Sequence, residues 1–167
     1  MPIKPTYEKL EHRVEELEKA VNERTSFDKQ LKLLSLAVDH SSEGIAVSDL
    51  DGNLEYLNNA FAEIHGYSPE ELIGKNLSIF HTLDQIPSVE AANLEIKQTG
   101  FFKGEIWHVK RDGTVFPTMM HNSLILDEAN KPIGMMGTLR DISDMKQAEE
   151  KLRESEEKYR GIFDESI

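Results

Sequence analysis

The stretch that decides the fold is residues 44–76, GIAVSDLDGNLEYLNNAFAEIHGYSPEELIGKN. Two short apolar runs, at 45–48 and 54–57, predict two strands. Asp51 and Gly52 lie between them and are typical of a two-residue hairpin turn, because glycine adopts positive φ at no steric cost. The segment is therefore predicted to begin with a β-hairpin.

Two very short helices are predicted after the hairpin. Asn58 is suited to cap the first helix, at 60–65, and Gly66 to end it. The Ser-Pro-Glu-Glu sequence at 68–71 is a complete start for the second helix. Its serine caps, its proline takes the first helical position, and its last glutamate returns a hydrogen bond to the cap. Gly74 then stops this helix after about one turn.

Further along the chain, the pattern predicts a helical turn at 76–80, a longer helix at 88–98 and three strands. The strands are predicted at 101–109, 115–126 and 133–139, and because they are sequential they are expected to form an antiparallel meander. Pro117 predicts a sheet edge or a bulge in the second of them, since proline has no amide hydrogen for the ladder. With the hairpin, the sheet has five strands.

This order of elements resembles that of PAS domains, which are small sensory modules of bacterial signalling proteins. The likeness covers roughly residues 38–143. It implies an α+β fold in which a five-stranded antiparallel sheet carries short helices on one face, with coiled-coil helices entering and leaving. The residues that carry the resemblance are Asn58, the Gly66-Tyr67 pair, SPEELIGK at 68–75, Gly104-Glu105, RDG at 111–113 and RDIS at 140–143.

Composition narrows the functional classes. The chain has 167 residues, of which 31 are acidic and 19 basic, and a formal net charge of −12. Such a negative field repels phosphate backbones and anionic lipids, so contact with nucleic acid or with a membrane surface is not expected. No stretch reaches the roughly 18 apolar residues of a membrane span. A cytoplasmic location is predicted, with any membrane anchor of the parent protein elsewhere.

Four segments are predicted: a coiled-coil helix at 1–25, an amphipathic helix at 26–43, the PAS domain at 44–143 and a signalling helix at 144–167. Thr25 with Asp28 has the spacing of a fresh helix start, which separates the first two segments. Residues 160–167 resemble the lead-in to the first domain, so the last helix is predicted to run into a second PAS domain. A fortuitous acidic tail is the alternative.

Both outer helices carry apolar residues three and four apart, the spacing of a coiled-coil seam. A lone helix of this kind is marginal in water, so the seams are predicted to pair with a second copy in a homodimer. The alternatives are a first helix folded back on its own domain and a last helix that is single and solvated. The predicted dimer residues are Tyr7, Leu10, Val14, Leu17, Val21, Met145, Leu152 and Tyr159.

The sequence contains neither a Walker-type phosphate loop nor a GxSxG elbow. No two histidines stand three or four residues apart, and no metal site is predicted. The carboxylates concentrate on the two outer helices, where a solvated face explains them. The chain is therefore predicted to be non-enzymatic, and no catalytic residue is assigned. Its parent protein is expected to be a histidine kinase of a two-component system or a diguanylate cyclase.

The resemblance implies a cavity between the concave face of the sheet and the short helices. The alternation of side chains along each strand predicts which residues point inward. The alternative is that these residues simply fill a small core and bind nothing. The ligand-pocket candidates are Ala46, Ser48, Leu77, Phe80, Leu94, Ile106, His108, Thr118, Met120, Gly137 and Leu139.

Cofactor chemistry is limited by the absence of cysteine. In the flavin-binding light-oxygen-voltage branch of the family a cysteine bonds the excited flavin, and Leu77 stands in its place here, so that photoadduct is excluded. His108 and Leu139 replace an Asn and a Gln that contact flavin in that branch. Haem-binding PAS domains usually place their ligand histidine on the long helix, and the corresponding helix at 88–98 has none, so the resemblance disfavours haem. The candidates left near the cavity are His81 and His108. No cofactor is expected.

The predicted function is that of a sensory and relay module. A small-molecule signal in the cavity, or a conformational signal that arrives as a torque from the incoming helix, is expected to change the sheet. The change is expected to pass through Asp141, Ile142 and Ser143 and to alter the outgoing coiled coil, which acts on an output domain of the same chain. Asp141 is also predicted to cap the last helix, with Asp144 three residues on. The alternatives are a ligand-free dimerisation spacer and a flavin- or haem-dependent redox sensor.

Overall fold

One long helix precedes a segment of strands and short helices, and a second long helix follows it. The computed structural model describes residues 6–164, with side-chain burial for residues 6–160. The described residues form two separate units, which meet in the chain between residues 40 and 41. In chain order the elements are α1 (Tyr7–Asp39), β1 (Gly44–Ser48), β2 (Leu54–Leu57), α2 (Asn59–His65), α3 (Pro69–Leu72), two 3₁₀ turns (Leu77–Phe80 and Leu83–Gln85), α4 (Ile86–Thr99), β3 (Phe101–Val109), β4 (Val115–Leu126), β5 (Pro132–Asp141) and α5 (Ser143–Asp164).

The five strands form one antiparallel sheet in the order β2-β1-β5-β4-β3. β3, β4 and β5 are neighbours in chain order, which is the predicted meander. β1 pairs with β5 on one side and with β2 on the other, so the N-terminal hairpin completes the sheet. The predicted α+β fold class with five antiparallel strands is confirmed.

The β1–β2 hairpin has a longer connection than the predicted two-residue turn. β1 ends at Ser48 and β2 starts at Leu54, which leaves residues 49–53 as the loop. The Asp49 carboxylate accepts hydrogen bonds of 2.8–2.9 Å from the backbone amides of Asp51 and Asn53 and from the Asn53 side chain. The Asp51-Gly52 pair correctly predicts where the chain turns. The turn is longer than predicted because the Asp49 carboxylate binds the backbone of the following residues as far as Asn53.

Both short helices are capped as predicted. α2 follows Asn58, whose Oδ1 accepts a hydrogen bond from Phe61 N at 3.0 Å, and it ends at Gly66 with φ of +79°. In α3, the proline occupies the first turn, and Glu71 accepts a hydrogen bond from Ser68 N at 2.9 Å. These bonds satisfy backbone amides that a helix start otherwise leaves without partners.

Pro117 lies neither in an edge strand nor at a bulge, so that prediction is wrong. β4 runs between β3 and β5, and its register with β3 is regular through Pro117. Its pairing with β5 starts only at Thr118. The Pro117 carbonyl accepts a hydrogen bond from Ile142 N at 3.1 Å, and in a strand the amide position of a residue faces the same side as its carbonyl. The proline nitrogen, which has no hydrogen, therefore faces the chain beyond Asp141, the last residue of β5. No hydrogen bond between β4 and β5 is lost at this position.

The main apolar core lies between the β1–β2 half of the sheet and the short helices. Phe80, from the first 3₁₀ turn, is fully buried and meets the Phe61 ring edge-on, with centroids 5.4 Å apart. Removal of this apolar surface from water is the dominant stabilising contribution. The cluster consists of Ala46, Leu54, Leu57, Phe61, Ala62, Leu72, Phe80 and Leu139.

α1 is one continuous helix, so the predicted fresh start at Thr25 is wrong. The Thr25 hydroxyl instead donates to Val21 O within the helix at 2.8 Å, which satisfies the side chain without ending the helix. No described residue of α1 is buried. The five side chains predicted for the first seam are each half exposed or more: Tyr7, Leu10, Val14, Leu17 and Val21.

α5 starts at Ser143 and is described to Asp164. Its predicted seam residues Met145, Leu152 and Tyr159 are between 46% and 64% exposed. The predicted start of a second domain, at 160–167, lies in part outside the described residues, as do residues 1–5 of the first predicted segment. Across residues 6–164, no helix combines the length and the apolar character that a membrane span requires.

Candidate functional site: an internal cavity and its link to the last helix

A cavity of about 240 Å³ lies between the inner face of the sheet, α4 and the first 3₁₀ turn. This volume is slightly below the roughly 300–1,000 Å³ of pockets for drug-sized ligands, so it fits a small organic molecule. Eight of the predicted pocket residues line it: Ala46, Ser48, Leu77, Ile106, His108, Met120, Gly137 and Leu139.

The other three predicted pocket residues do not line the cavity. Phe80 packs in the main core, and the buried Thr118 hydroxyl donates to Ile106 O at 2.7 Å. Leu94 is 56% exposed, so its predicted position on the inner side of α4 is wrong. Ala92 and Ile96 are the buried residues of this helix, and Leu94 is two positions from each, which is about 200° around the helix axis.

The sequence prediction omits most of the α4 wall and one polar residue of β4. Ile86, Val89 and Ile96 line the cavity from α4, and their helical spacing is the signal that identifies this stripe. Asn122 lines it from β4, two residues beyond Met120. Because alternate residues of a strand share one face, extending the β4 pattern by one step would have included it.

Two buried polar atoms of the cavity wall have no hydrogen-bond partner among the described residues. They are Ser48 Oγ and Asn122 Oδ1, and Ser48 is only 2% exposed. Gly137 pairs with Asn122 in the sheet, and a Cβ atom at this position would approach Asn122 Oδ1 to 2.7 Å. The glycine therefore leaves room for the amide. Since unpaired buried polar groups cost free energy, such a wall is more typical of a binding site than of a core.

Three histidines from α2, the segment after the first 3₁₀ turn, and β3 meet beside the cavity. His65 Nε2 lies 2.8 Å from His108 Nδ1, and the His81 ring meets the His108 ring edge-on, with centroids 4.6 Å apart. His65 is not predicted from the sequence. The signal for it is its place on the buried face of α2, four residues after Phe61.

Burial disfavours the charged form of all three histidines. It lowers the pKa of His65 to about 4 and the pKa of His108 well below its ordinary value. Charge on either of the other two rings would lower the pKa of His108 further. Burial also lowers the pKa of His81, against the opposing effect of the Trp107 carbonyl. Near neutral pH the cluster is therefore uncharged.

The three predicted relay residues join β5 to α5. Asp141 is the last residue of β5, so it lies one residue upstream of the capping position predicted for it. Its Oδ1 accepts a hydrogen bond from Ser143 N at 2.9 Å, and its Oδ2 lies 3.4 Å from Lys110 Nζ. Burial opposes the charge on Asp141, but these two contacts outweigh it and lower its pKa. Ile142 between them is buried.

A second contact ties the first turn of α5 to the sheet. Lys146 Nζ lies 2.7 Å from Glu105 Oε2, on β3. Glu105 is next to Ile106, which lines the cavity from the other face of the strand. Strands β3 and β5 therefore each have a cavity face and a link to α5.

The sheet, the short helices and the internal space define the class of protein: an α+β domain built around a small cavity. Residues 42–144 match the family model of the PAS domain. This match covers more than half of the 167 residues, so the chain belongs to the PAS domain family. A PAS domain alone is a non-catalytic sensory fold. Among the described residues, no three His, Cys, Asp or Glu side chains are grouped so as to hold a metal ion.

Two curated relatives share this region. Sporulation kinase C of Bacillus subtilis (strain 168) is 30% identical over 129 residues, which is 72% of this chain and 28% of the kinase. The bacterioopsin transcriptional activator of Halobacterium salinarum is 28% identical over 134 residues, 75% of this chain and 19% of the activator. The chain thus spans less than a third of each relative. The relationship supports a signal-sensing module.

Solved structures agree on the fold. The PAS domain of a protein from Colwellia psychrerythraea is 26% identical with a TM-score of 0.64, over 68% of this chain and 98% of that one. A PAS domain from a two-component sensor histidine kinase has a TM-score of 0.58 at 17% identity, over 68% and 97% of the two chains. The second likeness concerns the fold alone.

Proposed function

We propose that this chain is a sensory and relay module that couples occupation of its cavity to the position of α5. Through α5 the signal passes to an output domain of the same protein, for which a histidine kinase is the favoured candidate. Its relationship to Sporulation kinase C supports this choice. The ligand differs in affinity for two arrangements of the domain and thereby shifts the population between them.

The observation that carries the proposal is the continuity of β5. Gly137 and Leu139 line the cavity, and the same strand ends at Asp141, where the chain turns into α5. A shift of β5 that accommodates a ligand therefore also moves the carboxylate that accepts the Ser143 amide. The ion pair of Glu105 with Lys146 provides a second route, from β3 to the same turn of α5.

A homodimer is part of the proposal because a change in the position of α5 can be transmitted as a change in its packing against α5 of a second copy. The described apolar residues of α1 at three- and four-residue spacing are half exposed or more, from Tyr7 to Val21. The seam residues of α5 are similarly exposed at Met145, Leu152 and Tyr159. Pairing of these stripes in a second copy would bury them, as in coiled coils.

A flavin cofactor is not part of the proposal, because the cavity residues do not fit one. Leu77 offers no thiol, and Leu139 offers no polar group to a flavin ring. His108 has its Nδ1 engaged with His65. A small ligand without a photochemical role is favoured instead.

The relay is tested by a distance measurement across the proposed dimer. The chain has no cysteine, so a spin label attached to Glu156→Cys on the exposed part of α5 is the only one in each protomer. Indole serves as a small apolar probe for the cavity. We expect indole to change the label-to-label distance distribution, and the added change Asp141→Ala to abolish this response while indole still binds.

Asp144→Ala is the matched control, because it removes a carboxylate from the exposed first turn of α5 without touching the Asp141 contacts. It is expected to respond as the parent does. A full response from the Asp141→Ala variant would contradict the relay, and a label that reports no second copy would contradict the dimer.

The second candidate is a dimerisation spacer that binds nothing. The exposed seam of α1 favours it, because pairing through α1 does not require the cavity. Native mass spectrometry distinguishes the sensory module from the spacer. The spacer is supported if the dimer retains no small molecule after purification and binds neither indole nor 1-methylindole nor benzoate.

A further inference from the structure

The hydrogen bonds of the histidine cluster fix where its protons lie. His65 Nδ1 is 2.8 Å from Phe61 O. A carbonyl oxygen only accepts hydrogen bonds, so His65 must carry a hydrogen on Nδ1. His65 is buried and neutral, so its Nε2 has a lone pair, and the contact of 2.8 Å with His108 must be a hydrogen bond donated by His108 Nδ1.

The opposite assignment fails. If His108 Nε2 carried the hydrogen, its Nδ1 would have to accept from His65 Nε2. His65 Nδ1 would then present a lone pair to the Phe61 carbonyl at 2.8 Å, two acceptors in direct contact. A doubly protonated ring would avoid this conflict, but burial opposes that charge. One arrangement of protons is therefore consistent with both hydrogen-bond contacts of the neutral His65 ring.

This arrangement leaves His108 Nε2 as a buried acceptor without a donor. It contacts Met120 Sδ at 3.3 Å, and a thioether has no hydrogen to give. His81 does not supply one either, because its Nδ1 lies 3.2 Å from the Trp107 carbonyl and therefore holds the single hydrogen of the neutral ring. His108 is 2% exposed and lines the cavity.

From this geometry we infer that the cavity takes a small uncharged organic molecule that donates an N–H or O–H hydrogen bond to His108 Nε2. His65 acts as a positioning residue, because its bond to Phe61 O selects the His108 tautomer. The inference deepens the proposed sensory function and rests on it only for the biological meaning of the ligand.

The rest of the wall fits a neutral, mainly apolar ligand. Aliphatic side chains and Met120 cover most of the surface, and Ser48 Oγ and Asn122 Oδ1 offer two more sites for hydrogen bonds. The residues that line the cavity include one lysine, Lys97, which is exposed. A carboxylate would therefore enter without a buried cation to pair with it and without a hydrogen for His108.

The first test reads the tautomer directly in the wild-type protein. Two-bond ¹H–¹⁵N correlation spectra of ¹⁵N-histidine-labelled protein at neutral pH distinguish a protonated ring nitrogen from one with a lone pair. We expect His65 and His108 both to be protonated at Nδ1, with the His108 signals assigned from a His108→Phe variant. A hydrogen on His108 Nε2 overturns the inference whatever the protein binds.

The second test compares three small aromatic probes that differ in the hydrogen-bonding group they present. Indole, 1-methylindole and benzoate are titrated against the full chain. Indole is expected to bind about tenfold or more tightly than 1-methylindole, the effect of one hydrogen bond to a buried acceptor, and to shift the His108 Nε2 resonance. Benzoate is expected not to bind.

Met120→Leu is the control, because it removes the sulfur and keeps the acceptor, so the preference for indole should persist. His108→Phe should abolish the preference. Equal binding of indole and 1-methylindole, tighter binding of benzoate, or no binding of any probe overturns the inference. The spin-label experiment tests the proposed sensory function independently of this inference. If 1-methylindole changed the label-to-label distance, the sensory function would be supported, but the requirement for a ligand that donates a hydrogen bond would be contradicted.

Discussion

Two regions of the PAS domain bury polar side chains, and they treat them in opposite ways. At the junction of β1 and α2, the fully buried Asn58 is satisfied on both ends of its amide. Its Oδ1 accepts hydrogen bonds from Ile45 N at 2.8 Å and from Phe61 N at 3.0 Å, and its Nδ2 donates to Glu43 O at 3.0 Å.

The cavity wall presents buried polar atoms and gives them no protein partner. Among the described residues Ser48 Oγ and Asn122 Oδ1 are unpaired, and His108 Nε2 contacts the thioether of Met120. Ser48 lies on the same strand, β1, that Asn58 holds in place. The comparison shows that the polar residue that holds the fold together is paired within the chain. The polar atoms of the cavity wall, where we propose that a ligand binds, are left unpaired at a cost in stability.

The largest expected effect comes from breaking the satisfied region. Asn58→Ala leaves Glu43 O and Ile45 N without their bonds and removes the cap of α2. We expect a loss of about 4 kcal/mol in the free energy of unfolding, measured by urea denaturation. Asn58→Asp, which keeps the acceptor but loses the donor to Glu43, should lose less. Equal losses for the two variants would show that the acceptor side contributes nothing.

The histidine cluster gives the next effect, as a dependence on pH. The folded-state pKa of His65, about 4, lies below its ordinary 6.5, so the unfolded chain takes up the proton first as the pH falls. The contribution of neutral His65 to the free energy of unfolding is therefore fully present above about pH 6.5. It is lost as the pH falls towards 4, by about 3 kcal/mol in total. His81 and His108 act in the same direction, and nearby Lys110 also opposes the charge on His65.

Urea denaturation between pH 7 and pH 5 measures this loss, a window above the range in which ordinary carboxylates titrate. His65→Gln should make the dependence shallower. His121→Gln is the matched control, because His121 is exposed and should leave the slope unchanged. A flat profile for the unmodified protein across this window would contradict burial of neutral histidines.

Features set by neighbouring residues could be predicted from the sequence. The cap at Asn58, the start of α3 and the left-handed end of α2 at Gly66 each depend on residues within four positions of one another. Strand alternation placed Ser48 and His108 on the cavity wall for the same reason. Periodicity is a local property, and it determines which face of a strand is buried.

Features set by distant parts of the chain could not be predicted in this way. The hydrogen bond between His65 and His108 spans 43 positions and depends on how α2 packs against β3. Leu94 is more apolar than Ala92, yet the position of α4 on the sheet buries the alanine. Pro117 is tolerated in a central strand only because β5 ends opposite it, which no property of β4 reveals.

The smallest expected effect comes from a substitution in the cavity wall. A small effect there, next to a large one at Asn58, would support the difference between unpaired and paired buried polar groups. Ser48→Ala removes a buried hydroxyl that has no partner in the part of the chain that the structure describes, so no hydrogen bond is lost there on substitution. The free energy of unfolding should stay unchanged or rise by up to about 1 kcal/mol, because the cost of burying that hydroxyl disappears. Ser123→Ala on the exposed face of β4 controls for the change in strand propensity. A clear loss of stability in Ser48→Ala, measured by urea denaturation next to Asn58→Ala, would mean that Ser48 is paired in solution and belongs with Asn58 among the residues that build the fold.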